Sequence, residues 1–246
     1  MKKLFSLAIG LATAFTIMNA QTTLDIDKFK GISLSIPGTV ILKAGSQQEV
    51  EVSGPSELID DLKLTIKDGN WTIKYHSDEN NRNADPLNFT ITSPSIKSIG
   101  VSGSGSVITD GKLNDLDNLN LAVSGSGSIE YDGDAESAHF AISGNGSIDV
   151  DCSSEDTHVA VSGSGNISIK GNADRTRMAS SGSGKIEGSG FKTKYCKASI
   201  SGSSNLSAEV TDELDVTISG SGKFKYKGNP DIRSNKNSRK GLVKMK

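Results

Sequence analysis

The chain has 246 residues, of which 34% are hydrophobic and 5% aromatic, with 27 glycines, one tryptophan and a formal net charge of −2. So balanced a charge, with no glycine motif opening a helix as a phosphate loop would, gives no nucleic-acid partner and no nucleotide cofactor. The scarcity of aromatic residues also argues against the sugar-stacking subsites of a polysaccharide-degrading enzyme.

Residues 1–20 read as a signal peptide. Lys2 and Lys3 form a basic start, Leu4 to Ile17 is an apolar run too short for a spanning helix, and Ala20 offers a small residue before Gln21. No cysteine follows the run to carry a lipid, so the mature chain is expected to be exported and soluble, in the periplasm or at the cell surface. It carries 25 basic and 29 acidic side chains.

Residues 21–100 hold short β-rich runs separated by Gly, Pro, Asn and Asp: Phe29 to Ile36, Val40 to Lys43, Glu49 to Val52, Leu62 to Ile66, Trp71 to Tyr75 and Leu87 to Thr92. Only Ser56 to Leu62 has a helical flavour, one turn at most, with Ser56 as its candidate cap. The stretch 76–86 is strongly polar and reads as an exposed loop. No linker divides the chain, so residues 21–230 are expected to form one solenoid whose irregular first rungs, 21–100, cover the end of the array.

From residue 101 a single phrase recurs seven times: VSGSGSV, VSGSGSI, ISGNGSI, VSGSGNI, SSGSGKI, ISGSSNL and ISGSGKF. Its first glycines, Gly103, Gly125, Gly144, Gly163, Gly182, Gly202 and Gly220, lie 18 to 22 residues apart. One structural unit repeated at this period is the mark of a solenoid. Apolar residues occupy the positions four and two before each first glycine and four after it, for example Phe140, Ile142 and Ile148 around Gly144. That period of two is the signal of a strand with one buried face. It predicts a parallel β-helix with rungs of about nineteen residues over 101–228, with SGSG glycines inward and serines outward. A second glycine column, Gly111, Gly133, Gly171, Gly190 and Gly228, is expected to mark a corner. Residues 231–246 then form a basic tail or cap; over 223–246 nine Lys or Arg face the single acid Asp231. Such a tail could attract an anionic glycan or headgroup at the envelope periphery, but shielding of the last open strand edge is the simpler reading.

The opening FKGISLSIPGTVILKAGSQQEVEVSGPSELIDDLKLTIKDGNWTIKY, the passage SPSIKSIGVSGSGSV and the serial SGSG segments together resemble the head GIN domain family of auto-transporter adhesins, over nearly all of residues 26–230. The resemblance implies an exported β-helix of stacked parallel strands. It carries no ligand residues, so no binding site follows from it. The segment SRKGLVKM (238–245) departs from the pattern where a further SGSG copy would stand.

Five features are candidates for chemistry. His139 and His158 each stand five residues before a motif glycine, which stacks them on adjacent rungs of a polar column shared with Asn120, Arg177, Lys197 and Asp215; two histidines fall short of a zinc site. Asp110, Asp132 and Asp151 are in phase, followed by Lys170; calcium is the cation such a ladder would take. Trp71 and Tyr75 share phase with Ile73 and read as core before sugar platform. Cys152 and Cys196 fall in different phases about two rungs apart, roughly 10 Å at 4.8 Å per rung, so two free thiols are expected. The outward serine rows read as part of a tight coil before they read as a platform for sugar, partner or ice.

The sequence therefore points to a non-enzymatic, all-β binding or adhesion-like module with no catalytic, cofactor or metal site, and with a cell-surface glycan or protein as expected partner. A structural or envelope-stress protein without a ligand, and a carbohydrate-active enzyme, are its rivals.

Overall fold

The computed structural model describes residues 21–77, 85–234 and 236–245. The expected signal peptide and residues 78–84 of the polar loop lie outside them. The rest is a parallel β-solenoid, built on the strands β1 (Gln21–Thr23), β2 (Gly31–Leu34), β3 (Gly38–Ala44), β4 (Glu49–Ser53), β5 (Ile66–Lys67), β6 (Asn70–Ile73), β7 (Leu87–Ser93), β8 (Ser98–Gly103) and β9 (Ser106–Asp110). The long strands β10 (Leu113–Gly125), β11 (Ser128–Gly144), β12 (Ser147–Gly163), β13 (Asn166–Gly182), β14 (Lys185–Gly202) and β15 (Asn205–Gly220) follow, and β16 (Lys223–Lys227), β17 (Asp231–Ser234) and β18 (Leu242–Lys244) close the chain.

All three predicted inward columns are buried. Ile99, Leu121, Phe140, Val159, Met178, Ala198 and Val216 stack in one, and Val107, Ile129, Ile148, Ile167, Ile186, Leu206 and Phe224 in another. Strict rung-to-rung register, such as Ile129↔Ile148↔Ile167, places like on like. Area removed from water at about 25 cal/mol per Å² is the main stabilising term of such an array.

The two glycines of each SGSG copy do different work, which corrects the expectation that both face inward. The first sits at the bend with φ between 108° and 124° from Gly103 to Gly220, a region that disfavours side chains, and is exposed or half-exposed. The second is buried, with the apolar side chain two before the preceding rung's first glycine leaning under it. A Cβ on Gly146 would overlap Val123 Cγ1 and come within 2.5 Å of the Gly127 carbonyl oxygen. The second glycine column behaves as a corner at Gly111, Gly171 and Gly228, with φ of 86°, 102° and 93°. Gly190 has no such φ and falls where the register of β14 shifts against both neighbours.

The rungs of 21–100 do not stack in chain order. β2 and β3 pair on one side with β6 and β7 and on the other with β8 and β9, so the first rung is inserted between the second and the third. Antiparallel β4 and β1 then extend the β7 edge. Of the predicted run Leu62 to Ile66, only Ile66 belongs to a strand, β5, which pairs antiparallel with β6. The single turn α1 (Ser56–Asp60) begins after Pro55, which holds the N-cap position expected of Ser56. Trp71 and Tyr75 are core: the indole packs on Phe29 and Phe89 at 5.6 and 6.0 Å and donates to the Lys63 carbonyl at 3.1 Å.

At the other end, β17 pairs with β15 and β18 with β16, separated by the turn α2 (Lys236–Arg239). The departure from SGSG is partial, since Gly241 takes the second-glycine place over Ile218 and Gly222. Buried Ser238 accepts a hydrogen bond from the Ile218 amide at 2.9 Å.

Candidate functional site

The lateral face made by β2 and the second halves of β8 and β10 to β14 presents two outward columns of small residues. One runs Ser33, Gly100, Ala122, Ala141, Ala160, Ala179 and Ser199, in register throughout. Beside it run Ser102, Ser124, Ser143, Ser162, Ser181 and Ser201. Together they line a shallow trough of about 690 Å³. Larger residues, Thr72 and Thr217, follow Ser33 and Ser199 in register at its two ends.

One bank of the trough is polar. Two residues before each alanine on the same strand stand Asn120, His139, His158 and Arg177, continued by Lys197 and Asp215, so the expected column is present in register. The His139 and His158 rings stack with centroids 4.7 Å apart. Arg177 Nη1 lies 3.3 Å from His158 Nε2. Burial, then the neighbouring His139, then Arg177 hold the His158 pKa below its ordinary value. A neutral imidazole can accept from the guanidinium, which engages the nitrogen that a metal would need. Among the described residues no group of three or more His, Cys, Asp or Glu is arranged to hold a metal ion.

Ion pairs within the bank and between it and the next column outward, which runs Asp156, Arg175, Tyr195 and Glu213, hold most of the charges on this side. Arg175 grips Asp156 with two hydrogen bonds, at 2.7 and 2.6 Å, and that grip holds the Asp156 carboxyl below its usual range. Arg233 pairs with Glu213 at 3.1 Å, and Lys197 reaches Asp215 at 3.8 Å. Arg177, by contrast, makes no ion pair among the described residues. Beside it a second hollow of about 330 Å³ is lined by His158, Arg177, Lys197 and the exposed Tyr195, together with the ion-paired carboxylates Asp156, Glu213 and Asp215.

The other candidates are less assembled. Asp132 and Asp151 stack, but Asp110 turns to Lys43 at 3.4 Å and Lys170 follows Asp151 in register, so the carboxylate ladder is two residues long and bounded by cations. Cys152 and Cys196 are buried free thiols, each pushed up to about 12 by burial first. Of this face the sequence shows the outward serine rows and, in the polar column, Arg177 as one member among six; the trough between the columns and Tyr195 are not read from it. Opposite charges in phase on adjacent rungs, such as Asp156 and Arg175, were the signal that would have isolated Arg177.

A model of the family described as "Putative auto-transporter adhesin, head GIN domain" matches residues 28–165 and 120–230. No curated protein matches the chain significantly. Among solved structures, a protein of Parabacteroides distasonis described as a putative lipid binding protein is 22% identical, with a TM-score of 0.79 over 92% of this chain and 96% of that one. A putative adhesin of Parabacteroides merdae is 19% identical, with a TM-score of 0.81 over 92% of each chain. One of Bacteroides fragilis is 24% identical, with a TM-score of 0.65 and the same coverage. These likenesses establish the shared β-solenoid.

Proposed function

The chain belongs to the head GIN domain family of auto-transporter adhesins, and from that premise we propose that it is an exported, non-catalytic binding module of the cell envelope, engaging its target through the lateral face of β10 to β15. The observation that carries this reading is the juxtaposition of a carbon-lined trough with a cationic bank whose Arg177 guanidinium makes no ion pair among the described residues. Structural rungs alone call for neither feature, because a solvated face is served equally well by mixed polar residues. The names of its structural relatives, adhesins and a lipid binding protein, agree with a binding role. Export is supported by the basic and apolar start of the chain.

The test is retention of the purified protein on epithelial cells, immobilised acidic and neutral glycans, and phosphatidylglycerol vesicles. The native protein is expected to be retained on at least one of these, and Ala160→Arg, which places a long charged side chain across the trough, to lose that retention at unchanged melting temperature. Retention of Ala160→Arg equal to the native protein, or none by the native protein, would defeat the lateral-face reading.

A further inference from the structure

We infer that the trough and its cationic bank form one site for a single-chain anionic amphiphile, its acyl chain lying along Ala179 to Ser33 and its carboxylate or phosphate held by Arg177 and Lys197. This rests on the lateral-face reading and names the ligand class.

Two independent features require opposite chemistries of one ligand. From Ala179 back to Ser33 there are five ladder spacings, roughly 24 Å at 4.8 Å each. An acyl chain spanning half of a ~30 Å hydrocarbon core needs about 15 Å, so one whole chain fits with room to spare. Two columns on one strand face lie about 7 Å apart, room for one chain and not for two. Arg177 lies two residues from Ala179 on β13, beside the trough floor, and Lys197 stands next to it in register on β14.

Charge decides where the head goes. Along the bank the trough meets neutral Ser98 and Asn120 at one end and Arg177 and Lys197 at the other. Arg177 Nη1 lies 3.3 Å from a ring nitrogen of His158 and makes no ion pair among the described residues, while Lys197 is only loosely held by Asp215 at 3.8 Å. A planar guanidinium in that state offers two parallel donors to a carboxylate or phosphate. A second copy of the chain is a poor occupant. The trough floor covers roughly 170 Å², against about 800 Å² per partner for a stable interface, and face-to-face docking would bury the bank's charges.

The test is displacement of cis-parinarate, a fluorescent long-chain fatty acid, by decanoate, dodecanoate, tetradecanoate and hexadecanoate below their micelle concentrations. An open trough covers about half of the chain's circumference, so each added methylene should tighten binding about twofold. The double variant Arg177→Gln/Lys197→Gln should bind about tenfold more weakly with the same chain-length dependence, since it loses only the charged contact. Ala141→Phe should abolish binding at unchanged melting temperature, and Ala141→Ser should keep it. The assignment is overturned if the native protein does not bind parinarate, if affinity ignores chain length, or if Ala141→Phe binds normally. Should an oligogalacturonate bind in an Arg177-dependent but Ala141-independent way while the fatty acids do not, the ligand is an acidic glycan and the amphiphile is excluded. In that outcome, Ala160-dependent retention on cells or vesicles would still leave the lateral-face reading standing. Loss of both would end both.

Discussion

Inside the solenoid the Ser180 hydroxyl donates to Ser204 Oγ at 2.7 Å, and these two residues are matched exceptions to the rung pattern. Ser180 stands where other rungs carry Val or Ile, and Ser204 stands where other rungs carry the buried second glycine. Elsewhere that glycine is required because the branched residue of the preceding rung fills the space a Cβ would take, as Val161 does under Gly184 and Ile200 under Gly222. At this one rung the small Ser180 vacates that space, and a hydroxyl pair occupies it. Ser180→Val alone should therefore overpack against Ser204 and cost about 2 to 3 kcal/mol, and Ser204→Gly alone about 1 kcal/mol through the lost hydrogen bond. The double variant restores the ordinary Val over Gly arrangement and should return close to native stability. Urea unfolding of the four proteins measures the coupling, and strict additivity would mean that the two positions are not linked.

The first glycines permit a cleaner separation of backbone strain from collision. Gly103 and Gly144 have similar φ, 111° and 124°, but a Cβ on Gly103 meets nothing within 4 Å while one on Gly144 comes within 2.6 Å of the Gly125 carbonyl oxygen. Gly103→Ala should cost only the backbone strain, about 1 to 2 kcal/mol. Gly144→Ala adds overlap with a backbone atom that cannot swing away and should cost at least about 1 kcal/mol more. Equal losses of melting temperature would show that strain alone fixes the motif glycine.

Phase against the motif glycine made the inward columns legible, because parallel in-register stacking gives every residue of a rung a fixed neighbour in the next. His139 and His158 were paired by that rule, and Cys152 and Cys196 were kept apart by it. The rule stops where alternation is interrupted. It placed both SGSG glycines inward because a strand period carried through the bend ignores the φ near +115° that rotates the first one outward. It also could not order the first rungs. The insertion of β2 and β3 between later strands is decided by long-range pairing on both of their edges, and no local pattern records which partner wins. Arg177 belongs to the polar column that phase reveals, but that it makes no ion pair among the described residues depends on two columns together, since Arg175 takes Asp156 and Arg233 takes Glu213.

Both thiols should be silent in the native protein. Cys152 and Cys196 are 1% and 3% exposed, and burial pushes each pKa up to about 12, so almost no thiolate is present at pH 8. Iodoacetamide at pH 8 should label neither over hours in buffer and both within minutes in strong denaturant, as read by intact mass. Rapid labelling of Cys196 in buffer would place that column outside the solenoid.

His158 reports on the cationic bank directly. Burial, His139 and Arg177, in that order, lower its pKa, and Asp156 opposes them. The folded protein thus holds this proton less tightly than the unfolded chain, whose histidine titrates near about 6.5. The favourable contribution of the neutral ring is present above that value and is lost as pH falls through the lower folded pKa. The ring is partly exposed, so chemical shift is a better readout than stability. In an NMR titration His158 should fall below the ordinary histidine value and rise in both His139→Asn and Arg177→Gln, with the larger rise in the former. Saturation with hexadecanoate should also raise it, because a carboxylate on Arg177 offsets the positive charge that the imidazolium would otherwise face. A His158 pKa that ignores Arg177→Gln would mean that the guanidinium does not sit against the ring nitrogen, and the orientation assigned to the anion site would fall with it.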